Sequence, residues 1–403
     1  MELFWLEHKK LWRKKIVKIC VLLCFVYCVI FGSILSFQWF CFGSSDDYTS
    51  AFGNNFDGYA VIKDSQEYAL SFGGELTDET LQKIVSDYQQ MEADGMGEEL
   101  EKTDWQIVNS WLGTLYPELR DTSNYKTMIS YVDPDKLTGF YERRQQVLDE
   151  FLEVSGQVGA EKEFLHQIER KVEKPFRYEW VEGWSTLLGS MVADLGVVMA
   201  LFLGIVLSSL FAGEWHDNTS TLVLTTRNGW GKIALAKILT GLAFTVELFV
   251  LLAVSSVISQ LFFMGTAGWD MPIQNIKLIA VAPMNMLQAE IYEYAFVLLG
   301  AIGFAGIVMF ISAAVKNNVL TLLLSLAVVY GPMMIAEYLP YKMQKALDLI
   351  PLVGSSTDIF RTNTFRIWGE LIWSPYLLIT IPVLIGILCM PFAIKSWSRR
   401  MKA

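Results

Sequence analysis

Two apolar runs, residues 184–211 and 238–263, are each longer than the roughly 20 residues a helix needs to cross ~30 Å of hydrocarbon, and a short polar stretch separates them. Both runs therefore read as membrane helices, and the polar stretch as the hinge between them. Further runs at 19–42, 294–315, 319–339 and 371–394 bring the expected spans to six. With 53% hydrophobic residues gathered into such runs, the chain reads as a polytopic α-helical membrane protein rather than a soluble enzyme.

Charge divides the chain in two. Residues 43–183 hold 29 acidic and 13 basic side chains, net −16, and everything else is net +6. The first part reads as an acidic, water-exposed extracellular domain, and the second as a membrane body with basic flanks. The excess of Lys and Arg on cytoplasmic segments places both termini and the 211–237 loop in the cytosol; the loop at 340–370, where Lys342, Lys345, Arg361 and Arg366 outnumber the acids, is the exception. Residues 1–18 form an amphipathic helix that lies in the membrane interface, with Phe4, Trp5, His8, Leu11 and Trp12 on one face and Lys9, Lys10, Arg13 and Lys14 on the other.

The domain at 43–183 is expected to be mostly helical with a small sheet, an α+β insertion between the first and second spans. Residues 59–62 and 68–72 look like strands. Thr77 is placed to cap a helix running through Met91, a second helix covers 138–154, and a third carries Phe164, Leu165, Ile168 and Val172 before Pro175 stops it. Its one histidine, His166, and its dispersed acids assemble no nucleophile–base pair and no metal set. Cys20, Cys24 and Cys28 recur every four residues among apolar neighbours, as small packing residues do.

The polar loop carries the functional signal. It reads, in order, Phe211, Glu214, Thr219, Leu222, Leu224, Thr225, Arg227, Gly231, Lys232 and Lys237. This order and spacing resembles the signature of type-2 ATP-binding-cassette (ABC) exporter permeases, with Asn218-Thr219 standing where the family has Gly-Thr or Gly-Ala. The resemblance implies a coupling surface to a cytosolic ATPase subunit at Glu214, Thr219, Leu222, Thr225, Arg227 and Lys232, with Lys316 as a smaller second contact. It also implies a permease dimer, with itself or with a paralogous permease, in the plasma membrane of a bacterium. The cargo class is an amphipathic peptide, an antimicrobial or a lipid-like compound. ATP and Mg would bind the partner ATPase, since Gly231-Lys232 is preceded by Thr226 where a phosphate-cradling loop needs Gly and is followed by Ile233 where it needs a hydroxyl. Membrane lipids are expected partners and nucleic acid is not. The alternative reading is a membrane-anchored sensor or scaffold whose outer domain binds a ligand.

Within the spans, Gly189, Ala193, Gly196, Ala200, Gly204 and Ser208 make one small face suited to close helix approach, read as a dimer or translocation surface. Asp194 and Glu247 are ionisable groups inside spans and so candidates for the translocation path.

Overall fold

The computed structural model describes residues 2–32, 59–96, 106–121, 126–217, 219, 231–354 and 363–399. Five helices are long and apolar enough to cross a membrane: Asp194–His216, Lys232–Met264, Met286–Ala314, Asn318–Tyr338 and Ser374–Ser398. The chain is mostly helical, as a multi-pass membrane protein is. α1 (Glu2–Arg13), the helix expected to be interfacial, breaks at Lys14 and is followed by α2 (Lys15–Gly32), the described part of the expected first span; residues 33–42 of that span lie outside the described residues. Cys20, Cys24 and Cys28 are buried along α2 in one apolar cluster with the helices of the membrane body.

The two expected strands at 59–62 and 68–72 are instead one helix, α3 (Tyr59–Ser71). Ile62, Ser65, Tyr68 and Ala69 are buried on it at spacings of three and four residues, with Asp64 buried beside them, so the helical period outweighs the local run of apolar residues. Thr77 caps α4 (Asp78–Met91), accepting from the Thr80 N–H at 3.2 Å. Asp78, at the start of α4, accepts from the N–H groups of Gly139 and Phe140 at 2.7 and 2.9 Å. It thereby satisfies orphan donors at the start of another helix. α5 (Gln106–Leu115), α6 (Phe140–Val154) and α7 (Ala160–Glu169) follow, β1 (Gly74–Glu75) pairs antiparallel with β2 (Arg177–Tyr178), and α8 (Glu182–Thr186) leads into the membrane body.

The domain expected on the outer side is not closed by 43–183 alone. Met271, Ile273 and Leu278–Ala282, from the loop between the third and fourth expected spans, are buried in the same core. Trp111 Nε1 donates to the Asn275 carbonyl at 3.1 Å, Asn275 Nδ2 to the Arg177 carbonyl at 2.9 Å, and Trp180 Nε1 to the Met264 carbonyl at 2.9 Å. Arg144 is the central tie. Fully buried on α6, it pairs with Glu169 at 2.6 Å and donates to the carbonyls of Leu278 and Ala280 at 2.7 and 3.2 Å.

Burial by itself would raise the Glu169 carboxyl, but hydrogen bonds from Lys174 and Arg144 hold it below the usual carboxylate range. A depressed folded-state value means that the pair stabilises fully above the unfolded carboxyl value of about 4.3 and loses that contribution as pH falls through the lower folded value. Replacing Glu169 with Gln should therefore flatten the acid limb of the outer domain's stability profile. It should also cost about 3 kcal/mol near neutrality, because Arg144 is left buried without its anion. Denaturant titrations of both proteins across the acid range, read by the Trp111 and Trp180 fluorescence, check both effects.

In the membrane body, five single-turn Leu187–Met191 residues of wider pitch join α8 to α9 (Val192–His216), and α10 (Lys232–Met264), α11 (Met286–Ala314) and α12 (Asn318–Ile335) follow. After α13 (Tyr341–Leu347), the antiparallel hairpin β3 (Thr364–Ile367) and β4 (Glu370–Trp373) leads into α14 (Ser374–Arg399). Several ends differ from the sequence reading. α9 continues past 211 to His216, α10 starts at Lys232 rather than 238, and residues 371–373 belong to β4. α11 starts eight residues before 294 because Asn285 and Gln288 form a reciprocal capping box.

α11 is the central helix and meets α14 at a glycine seam. A Cβ added at Gly386 would lie 2.5 Å from the Gly303 Cα, and one added at Gly306 would lie 2.7 Å from the Gly386 Cα. Leu352, held at φ 62°, folds back from the outer side so that its side chain lies 3.0 Å from where a Gly300 Cβ would be. Only glycine lets these backbones touch.

Candidate functional site: a buried charge cluster beneath the interfacial helix

α1 crosses α10 and presents a different side to each neighbour. Leu11 is buried at the crossing, between Lys10 and Lys14. On one side, Lys10 Nζ lies 2.5 Å from Glu214 Oε1 at the end of α9. Lys237 Nζ, fully buried in the second turn of α10, lies 2.8 Å from the same Glu214 oxygen and 2.8 Å from Glu7 Oε2. The Thr219 hydroxyl donates to the other Glu214 oxygen, and Lys14 Nζ donates to Ser209 Oγ at 2.9 Å. Glu214 therefore collects two ammonium groups and a hydroxyl, while Lys237 collects two carboxylates. Three segments far apart in sequence meet here: the interfacial helix, the end of α9 and the start of α10.

The cations feel one another. Burial works against the Lys10 ammonium, but Glu214, with Glu7 and Asp217 behind it, raises it above the usual lysine value. Lys14 goes the other way, lowered by burial and by the neighbouring Lys237 and Lys10. The site thus has anions and cations in near balance, and a desolvated network of this kind fixes geometry more than it adds stability.

On its other side α1 carries an aromatic group. Phe4 stacks on His8 at 5.5 Å, and Trp12 packs edge-on to Phe244 at 5.8 Å; Trp5 is exposed, as an interface anchor would be. His8 Nε2 lies 3.2 Å from Glu247 and Trp12 Nε1 donates to it at 3.0 Å. Glu247 thus sits against α1. The reason is length: α10 has 33 residues, about 50 Å at 1.5 Å per residue, against ~30 Å of hydrocarbon, so it is longer than a span needs and leaves room for α1 to pack across it.

The other expected positions distribute as follows. Lys232 opens α10, and Lys316 Nζ lies 4.2 Å from the Trp215 ring centroid, which ties the short inner turn to the end of α9. Asn317 caps α12 through its side chain, 2.9 and 3.0 Å from the N–H groups of Val319 and Leu320. Leu222, Thr225 and Arg227 lie outside the described residues. Along the small-residue face, Ala200 and Ser208 are buried within the chain, and Gly204 faces Leu322 and Leu326 of α12. Gly189 and Gly196 are open, Asp194 is half-buried in the first turn of α9, and the Ala193 side chain lies outside the described residues. The lower half of that face is therefore used inside the subunit. Lys237 is the residue the sequence reading undervalued, treating it as a loop charge; its position one turn into an apolar run was the available signal.

No protein-family model matches the chain, nor does any curated protein or solved structure.

Proposed function

We propose that the chain is the membrane-spanning permease subunit of an ABC exporter that uses ATP hydrolysed by a separate cytosolic subunit. The observation that carries this reading is the Glu214–Lys237–Lys10–Glu7 cluster. It joins the interfacial helix to the ends of the second and third of the six spans, so that a push on the loop between those spans would move all three elements together. In this reading the loop at 217–231 is the ATPase contact and Lys316 a second one. Gly189, in the turn just before α9, and Gly196 on α9 are open and are the part of the small-residue face left for a second permease copy. The net charge of the outer domain favours cationic, amphipathic cargo.

The test is to purify the tagged full-length chain from its native membrane and reconstitute it with the ATPase that accompanies it. ATP turnover should rise on addition of a cationic amphipathic peptide, and Glu214→Gln should abolish that rise while leaving the complex assembled. A chain that retains no ATPase, or whose ATPase is indifferent to peptide, refutes the reading.

A further inference from the structure

Where the core of the outer domain meets that of the membrane body, a polar layer crosses the bundle. Glu290 and Glu293 lie one turn apart on α11 and are 4% and 0% exposed; none of their four carboxylate oxygens is within normal hydrogen-bond distance of a described group, the Tyr294 hydroxyl being the polar group beside Glu290. Gln260 on α10 is 0% exposed, and both its amide atoms are likewise unpartnered. The hydrogen bond between Ser256 and Tyr294, 2.9 Å, fixes the antiparallel register of α10 and α11. One turn outward from it, Gln260 stands level with Glu290. On the opposite side, the contacts of Gly303 with Pro382 and of Gly306 with Gly386 fix the parallel register of α11 with α14. Extended outward, that register sets Trp373 level with Glu293, and the buried Trp373 Nε1 also lacks a partner.

Among the described residues no cation pairs with either carboxylate. Lys395 and Arg399 lie at the far end of α14, α12 has no charged residue, and the charged residues of α10, Lys232, Lys237 and Glu247, lie three turns or more inward. Asp194 of α9 falls more than a turn below Glu293, by the register that the Ser312–Ser208 hydrogen bond sets. Glu182 of α8 hydrogen-bonds Ser185, and Cys28 of α2 faces Tyr294. Two adjacent carboxylates without a cation are costly to keep ionised in such a place. As carboxylic acids they become donors as well as acceptors, which matches the mixed set of unpartnered groups around them: an amide carbonyl, an amide NH₂ and an indole N–H.

We propose that Glu290 and Glu293, with Gln260 and Trp373, form a proton-binding site, occupied when α10, α11 and α14 are packed as here and exchanging protons only when the outer half of the bundle opens. The inference stands apart from the export reading, since it needs neither ATPase nor cargo. It is tested by infrared spectroscopy of the full-length chain in lipid nanodiscs at neutral pH, where exposed carboxylates, with an ordinary pKa of about 4.3, are ionised. A protonated-carboxyl C=O band should be present, and its shift on transfer to heavy water should be slow. Glu290→Gln and Glu293→Gln should each remove about half of it, because each removes one of two acids. Thermal unfolding of the wild type should be the same in sodium, calcium and choline chloride. Absence of the band overturns the proposal. If sodium or calcium then raises the melting temperature of the wild type, the layer holds a metal cation instead; if neither does, the carboxylates are ionised and hydrated. Absence of the band from the wild-type spectrum overturns the proposal even if a variant fails to fold.

Discussion

Replacing Lys237 with Met should destabilise the membrane body by about 3–5 kcal/mol, because it leaves Glu214 and Glu7 as buried anions around a methyl group. Lys10, half exposed and 2.5 Å from Glu214 in the wild type, compensates Glu214 only in part, so both anions lose by the change. The double variant Lys237→Met with Glu214→Gln should recover part of the loss, since the second change removes one of the stranded charges. A thermodynamic cycle over the four proteins, from unfolding titrations in mixed micelles, isolates the pair. If the single Lys237→Met variant unfolds like the wild type, the cluster is solvated and the account of it given above is wrong. Transport measured on the same four proteins separates geometry from stability. Glu214→Gln retains the shape of the side chain and its contact with Thr219, so a loss of coupled turnover in a well-folded Gln variant assigns the charge a role in transmission.

The second large effect is expected at the glycine seam. Val at Gly306 places side-chain carbon against the Gly386 backbone, where no rotamer can relieve it, and α11 and α14 must separate along their whole contact. Overpacking of this sort costs typically about 1–3 kcal/mol when side chains can yield and more when backbone must move. Gly306→Val should therefore fail to reach a stable fold, and Gly306→Ala should lower the melting temperature by several degrees. Gly331→Ala is the control: in α12 nothing lies within 4 Å of the added carbon, and the change should be neutral. Equal tolerance at 306 and 331 would mean that the two helices are not packed at this distance.

The sequence by itself determines a good deal. The apolar runs make membrane helices, since a bilayer leaves an apolar stretch of that length almost no other hydrogen-bonded form. Thr77 starts a helix because its hydroxyl satisfies an N–H within three residues, and the basic face of α1 announces that an anion will seek it. Each of these signals is local, or depends only on the solvent. What the tertiary structure decides is partnership. Glu214 and Lys237 are 23 residues apart and Glu7 is 230 from Lys237; which anion a cation meets depends on how three helices cross. Glu247 lies in an apolar run, and only the packing of α1 across α10 brings it to His8 and Trp12. The loop at 265–285 joins the outer domain because Arg144 and Trp111 need carbonyl acceptors that their own segment does not supply. Five small residues on α9, with Gly189 just before it, and three glycines on α11 are equal candidates for close packing along the chain. The seam forms on α11 because a partner glycine, Gly386, stands at the same level on α14, and the pairing of two surfaces is a property of neither sequence segment alone.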